Sequence, residues 1–252
     1  DMNGSTLVLG AIFFTFQIYG DFSGYSDIAI GTSRLFGFDL KQNFATPYFS
    51  RDIAEFWRRW HISLSTWFRD YLYIPLGGSR GGTWMKVRNT FAIFLVSGFW
   101  HGANWTFIIW GALNAIYFLP LLLTNNNRKN LGVVAEGKLL PSLRELFAML
   151  TTFMLTIFAW IFFRAENVSH AFSYIGEIFS ESILSIPLFD NRMNALYTLC
   201  YISIFILVEW FGRKDNFAIE KNYFKNNKLF RYFFYLIIIC CLFWLSTSSQ
   251  DF

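Results

Sequence analysis

The sequence predicts an all-α, polytopic integral membrane protein: a bundle of transmembrane helices with re-entrant and interfacial pieces. Three observations carry the prediction: an apolar and aromatic composition, five uncharged runs of membrane-crossing order, and basic residues gathered between those runs. Of 252 residues, 54% are hydrophobic, 21% aromatic and 15% charged, and the mean hydropathy is +0.36. An average soluble domain carries about 25% charged residues, so a soluble globular chain is excluded. The 32 Phe, 12 Tyr and 10 Trp exclude a disordered one. A helix needs about 20 mostly apolar residues to cross the hydrocarbon core. Uncharged runs stand at 2–20, 89–127, 146–163, 193–208 and 232–250, and they lack the alternation of outer-membrane strands.

The first run predicts a helix that closes on the polar segment Gly20-Asp21-Phe22-Ser23-Gly24-Tyr25-Ser26-Asp27. It is not a signal peptide, having neither a basic leader nor a small-residue cleavage site. The polar segment reads equally as a helix end or as a functional cluster. Between 41 and 88 the pattern changes. Ile53, Phe56, Trp57, Trp60, Leu64, Trp67, Phe68 and Tyr71 recur at spacings of three and four, which marks one face of a helix. An interfacial helix over 50–74 is expected, capped by Ser50 and ended by Pro75. Its other face carries Arg51, Asp52, Glu55, Arg58, Arg59, Arg69 and Asp70, the make-up of a helix lying along a membrane surface. The glycine-rich loop 77–82 lacks the closing Gly-Lys-Ser/Thr of a phosphate-binding loop and reads as a connector.

Lys and Arg number eight in 41–88, four in 128–144, two in 164–192 and six in 209–231. The positive-inside bias places the basic loops in the cytoplasm and the 164–192 loop outside. Segments 41–88 and 128–144 then share a side, so the run between them enters and returns as a re-entrant hairpin over 89–123. Asn89 to Trp100 is twelve residues, about 18 Å of helix against a core of about 30 Å. The turn Trp100-His101-Gly102-Ala103-Asn104 is therefore expected within the membrane, where irregular backbone is tolerated only in protein or beside a wet cavity. The remaining runs predict C-terminal transmembrane helices within 142–250. Cys200, Cys240 and Cys241 all fall in them and act as small apolar residues. The chain opens without Met and stops directly after a hydrophobic run, so it is read as the C-terminal part of a single membrane-embedded domain over 1–252, with the motif-bearing core in 1–127.

Three histidines are present. His170 lies in the polar 164–192 loop and reads as solvated. His61 borders the apolar face of the interfacial helix and reads as an interface residue. His101 stands inside an uncharged run, where an ionisable group is costly and marks function by default, against the plainer reading of a hydrogen-bonded core histidine. The chain offers no metal-ligand cluster and no Gly-x-Ser-x-Gly elbow. A general base remains: a neutral imidazole, held neutral by desolvation, takes the proton of a hydroxyl as its oxygen attacks an acyl group. Asn104, Trp105 and backbone N–H groups of the turn are candidate oxyanion donors. The arginines anchor anionic headgroups or hold the phosphates of a coenzyme A donor or an acidic carrier.

The segments Asp21–Asp27, Asn43-Phe44 with Pro47-Tyr48, Phe56–Ser65, Trp67–Gly78 and Trp100-His101-Gly102-Ala103 closely resemble the membrane-bound O-acyltransferase family, in its bacterial polysaccharide O-acetylation branch. The resemblance is dense over about residues 19–115 and only hydropathic beyond. It implies a multi-pass enzyme of the bacterial inner membrane with His101 catalytic in a tunnel and His61 the second functional histidine, nearer the donor side. Trp57, Arg58, Arg59, Trp60, Trp100, Asn104, Asp21, Ser23 and Tyr25 are the expected supporting residues. An acyl group, expected to be acetyl, moves from a cytoplasmic thioester such as acetyl-coenzyme A or an acyl carrier to hydroxyls of a cell-surface polysaccharide such as alginate. An extracytoplasmic acetyltransferase is the expected protein partner. No metal, no bound cofactor and no nucleic acid are expected. Two alternatives stand beside this reading: a transporter or channel, which also buries polar residues in broken helices but without the internal repeats such proteins show, and a non-catalytic scaffold for an extracytoplasmic acetyltransferase.

Overall fold

The computed structural model describes residues 3–219 and 227–248, and every regular element among them is helical. In chain order these are α1 (Gly4–Leu35), a 3₁₀ turn (Pro47–Phe49), α2 (Ile53–Arg59), α3 (Ile62–Phe68), a π-helical turn (Arg69–Tyr73), α4 (Gly82–His101), α5 (Trp105–Leu123), α6 (Leu143–Arg164), α7 (Val168–Ile178), a 3₁₀ turn (Glu181–Leu184), α8 (Arg192–Gly212) and α9 (Lys228–Ser248). Helices α1, α5, α6 and α8 are long and apolar enough to cross a membrane. The last two residues of the 232–250 run lie outside the described residues. The three cysteines are free, on α8 and α9. The chain divides into two compact units, Asp1–Phe205 and Ile206–Phe252. In the second, Gly212 lies against Ala218 and the Arg213 guanidinium sits 4.1 Å from the Trp210 ring.

The first unit is organised by aromatic packing. Tyr19 of α1, Phe44 and Tyr48 of the connecting chain, Phe56 and Trp60 of the α2 region, Trp110 of α5 and Trp160 of α6 form one buried cluster. Helices α4 and α5 run antiparallel and nearly touch, because Gly98 faces the Phe107 carbonyl and Gly111 the Phe94 carbonyl; a Cβ at either would stand 2.3 Å from that oxygen. Small residues permit such backbone approach between membrane helices. Helix α6 opens with a capping box between Ser142 and Glu145.

The segment after α6 closes one end of this unit. The Tyr174 hydroxyl donates to the Leu7 carbonyl at 2.7 Å, and the Gly4 N–H donates to Ser182 Oγ at 2.6 Å. The other end carries the basic α2 region, where Arg51 meets Glu145 at 3.4 Å.

Three expectations are corrected. The first helix does not end at residue 20 but continues through Asp21–Asp27 to Leu35. The polar residues are accommodated by sidedness: Asp21 and Asp27 face outward, while buried Ser26 accepts from the Asn43 amide at 3.2 Å. The single helix over 50–74 is in fact broken at Trp60-His61, where His61 adopts a left-handed conformation (φ 44°, ψ 55°). The break is held by long-range bonds that replace helical ones: Ile62 N–H to Asn43 O (2.9 Å), Ser63 N–H to Asn43 Oδ1 (3.1 Å) and Ala45 N–H to Arg59 O (3.0 Å). Asp52, not Ser50, caps α2. Finally, α4 begins at Gly82, well before the uncharged run. Its 20 residues reach about 30 Å, and Arg88 is accommodated in the helix by donating to the Leu76 carbonyl at 2.9 Å and to Asn89 Oδ1.

Candidate active site

His101 is the last residue of α4, and Gly102 and Ala103 turn the chain into α5. The turn is fastened on both sides. Asn104 caps α5 by accepting from the Thr106 N–H at 3.1 Å, and its amide donates to the Glu166 carbonyl at 2.8 Å. That second bond ties the reversal to the segment following α6. The His101 ring is half-buried in an aromatic cage: Trp110 meets it edge to face at 5.3 Å, Phe163 at 5.0 Å, and Phe107 lies at 6.3 Å. Among the described residues its ring nitrogens have no hydrogen-bond partner, which leaves them available to a ligand.

His61 lies between α2 and α3, outside the long helices. Phe22 meets its ring edge to face at 4.6 Å and Phe44 stacks at 6.5 Å. Burial holds this imidazole down to about 4 from its ordinary 6.5, and positive charge on His101 adds to the depression. Ring contacts link the two histidines. A row of rings joins them: Phe44 to Trp60 (5.0 Å), Trp60 to Trp160 (5.3 Å), Trp160 to Trp110 (5.8 Å, stacked) and Trp110 to His101.

The other expected residues divide by location. Trp57 joins the cage from outside: it packs on Trp110 at 5.7 Å, and its indole N–H donates to Asn114 Oδ1 at 3.2 Å. Trp60 is buried in the row. Arg58 donates to the carbonyls of Asn127 and Asn130, both at 2.8 Å, and Arg59 donates to Glu55 and to the carbonyls of Ala45 and Gly132. These arginines fasten α2 to the 127–132 loop. Trp100 is largely exposed beside His101, and Trp105 is exposed at 73%, turned away from the cage. Asp21 and Tyr25 are exposed on α1 and Ser23 is half-buried, while their neighbour Phe22 is the residue of this segment that meets the His61 ring. His170 is exposed, with its N–H on the Asn167 side chain. No group of three His, Cys, Asp or Glu suited to a metal occurs among the described residues.

Sequence reasoning missed Trp110, Phe163, Asn114, Thr106 and Trp160. A signal for three of them exists: Thr106, Trp110 and Asn114 recur at four-residue spacing in an apolar run, so they share one face of α5, and all three are buried.

A family model described as MBOAT, membrane-bound O-acyltransferase family, matches residues 4–135. The chain is 49% identical over 211 residues to the probable alginate O-acetylase AlgI of Azotobacter vinelandii, an alignment covering 83% of this chain and 40% of that protein. It is 43% identical over 200 residues to a peptidoglycan O-acetyltransferase of Helicobacter pylori, covering 75% of this chain and 36% of that one. A teichoic acid D-alanyltransferase of Bacillus subtilis is 31% identical over 166 residues, 62% of this chain and 40% of that protein. The chain thus spans about 40% of the length of the curated relatives it matches.

Proposed function

The chain belongs to the membrane-bound O-acyltransferase family, and from that premise we propose that it moves an acyl group, acetyl in the first instance, from a cytoplasmic thioester to hydroxyls of a cell-surface polysaccharide. His101 is the general base. The observation that carries this reading is an imidazole at a helix reversal, caged by Trp110 and Phe163, whose nitrogens have no hydrogen-bond partner among the described residues. The acceptor hydroxyl oxygen attacks the thioester carbonyl carbon while His101 takes its proton; when the C–S bond breaks, the thiolate recovers that proton from the imidazolium. A base and positioning suffice for this chemistry. His61 stands on the donor side, joined through the row of rings to His101 at the α4–α5 reversal. The relatives named as alginate O-acetylase and peptidoglycan O-acetyltransferase support a polymeric acceptor. An extracytoplasmic acetyltransferase is the protein partner in this reading, and the bacterial relatives favour the inner membrane as the location.

Everted membrane vesicles supplied with radiolabelled acetyl-coenzyme A on the cytoplasmic face test the donor and the base together. Wild-type vesicles incorporate label into polymer, and His101→Gln vesicles with equal protein content incorporate at least about 100-fold less, the lower range for loss of a general base. Equal incorporation by the variant refutes the role of His101.

A further inference from the structure

We propose that the indole N–H of Trp160 is a hydrogen-bond donor of the transfer site, directed to the acyl carbonyl oxygen as it gains negative charge; the inference rests on the reading of His101 as base. Trp160 is 3% exposed, and its Nε1 has no hydrogen-bond partner. Among the described residues one other buried side-chain polar atom shares that condition, Thr106 Oγ1. Thr106 stands one helical turn from Trp110, on the same face of α5. Buried donors in native interiors are nearly always paired, and leaving one unmade costs about 1–3 kcal/mol. Packing alone gives no reason for the nitrogen, since a carbocyclic ring fills such space without that penalty.

The position of Trp160 supplies the reason. Its ring stacks on Trp110 at 5.8 Å and meets Phe163 at 5.1 Å, and these same two rings cage His101 at 5.3 and 5.0 Å. On its other side it meets Trp60, the neighbour of His61 in the chain, at 5.3 Å. The unpaired donor therefore lies between the two histidines, in apolar surroundings where a hydrogen bond to developing charge is strong. As the hydroxyl oxygen bonds to the thioester carbon and its proton passes to His101, the carbonyl π pair moves onto oxygen. The Trp160 N–H stabilises that oxyanion, and the pair returns when the C–S bond breaks and the thiolate leaves.

The test replaces Trp160 in the full-length chromosomal protein, once by Phe and once by the benzothiophene analogue of tryptophan, which keeps the two-ring shape and puts sulfur in place of N–H. Both are assayed in everted vesicles with acetyl-coenzyme A. The expected result is a kcat about 100-fold lower for the analogue, with little change in KM, as for removal of one oxyanion donor. The melting temperature in detergent stays at or above that of wild type. An analogue with wild-type kcat overturns the proposal, and so does one whose loss lies wholly in KM. Should Trp160→Phe fail to accumulate, the analogue decides alone. The base reading fails separately: an active His101→Gln protein beside an impaired analogue removes His101 as base and keeps the donor.

Discussion

Glu55 carries a carboxylate with 1% of its side chain exposed, received by two guanidinium groups. Arg51 Nε approaches Oε2 at 3.0 Å and Arg59 Nη2 approaches Oε1 at 2.9 Å, and both arginines also donate to the Gly132 carbonyl. Removing one partner of a buried ion pair costs about 3–5 kcal/mol, because the opposite charges remain. Glu55→Gln is therefore expected to lower the melting temperature in detergent sharply, whereas Arg69→Gln, whose pair with Asp70 is exposed, should leave it nearly unchanged. Equal effects would contradict this division. His61 gives a second expectation. Its folded-state pKa, about 4, lies below the unfolded 6.5, so the unfolded chain binds the proton more readily. The stability this confers is fully present above about pH 6.5 and is lost as the pH falls toward 4. Melting temperatures measured across that window should decline on acidification, and His61→Asn, which keeps a residue tolerant of the left-handed conformation, should flatten the decline.

At the level of elements, the α4–α5 hairpin holds His101, and its closeness depends on two missing Cβ atoms. Gly98→Ala would place a methyl 2.3 Å from the Phe107 carbonyl oxygen, and backbone cannot yield without separating the helices. Overpacking of this kind costs about 1–3 kcal/mol and shifts His101, three residues further on. Both melting temperature and acyl transfer should drop; unchanged transfer would show that the hairpin spacing does not position the imidazole. The helical nature of these segments is legible in the sequence because hydrocarbon-length apolar runs have few other solutions. The break at His61 is not, because α2 and α3 keep the same three-and-four spacing on either side of it. Asn43, distant in the chain, supplies the bonds that make the break, and no local pattern reports it. For Arg58 and Arg59 the sequence offers headgroup anchoring or phosphate binding and does not show that they fasten α2 to the 127–132 loop, because those carbonyl partners lie far along the chain.

Across the first unit, the two histidines stand at the ends of a row of rings, with Trp57 bonded to Asn114 beside it and the buried Trp160 N–H without a partner among the described residues. The sequence motifs name the histidines, since His-bearing turns and Trp-Arg-Arg-Trp-His are local in the chain. They are silent on Phe163 and Trp160, whose helix signals only apolarity, and Trp110 is marked only by its four-residue spacing from Thr106 and Asn114. The central claim is that one unoccupied imidazole performs the proton transfer. Its most direct measurement is the O-acetyl content of the surface polysaccharide, read by proton NMR, in cells whose chromosomal copy carries His101→Gln and whose membranes hold the protein at wild-type level. The expected result is an acetyl signal at background, and an acetyl signal at the wild-type level would contradict the account.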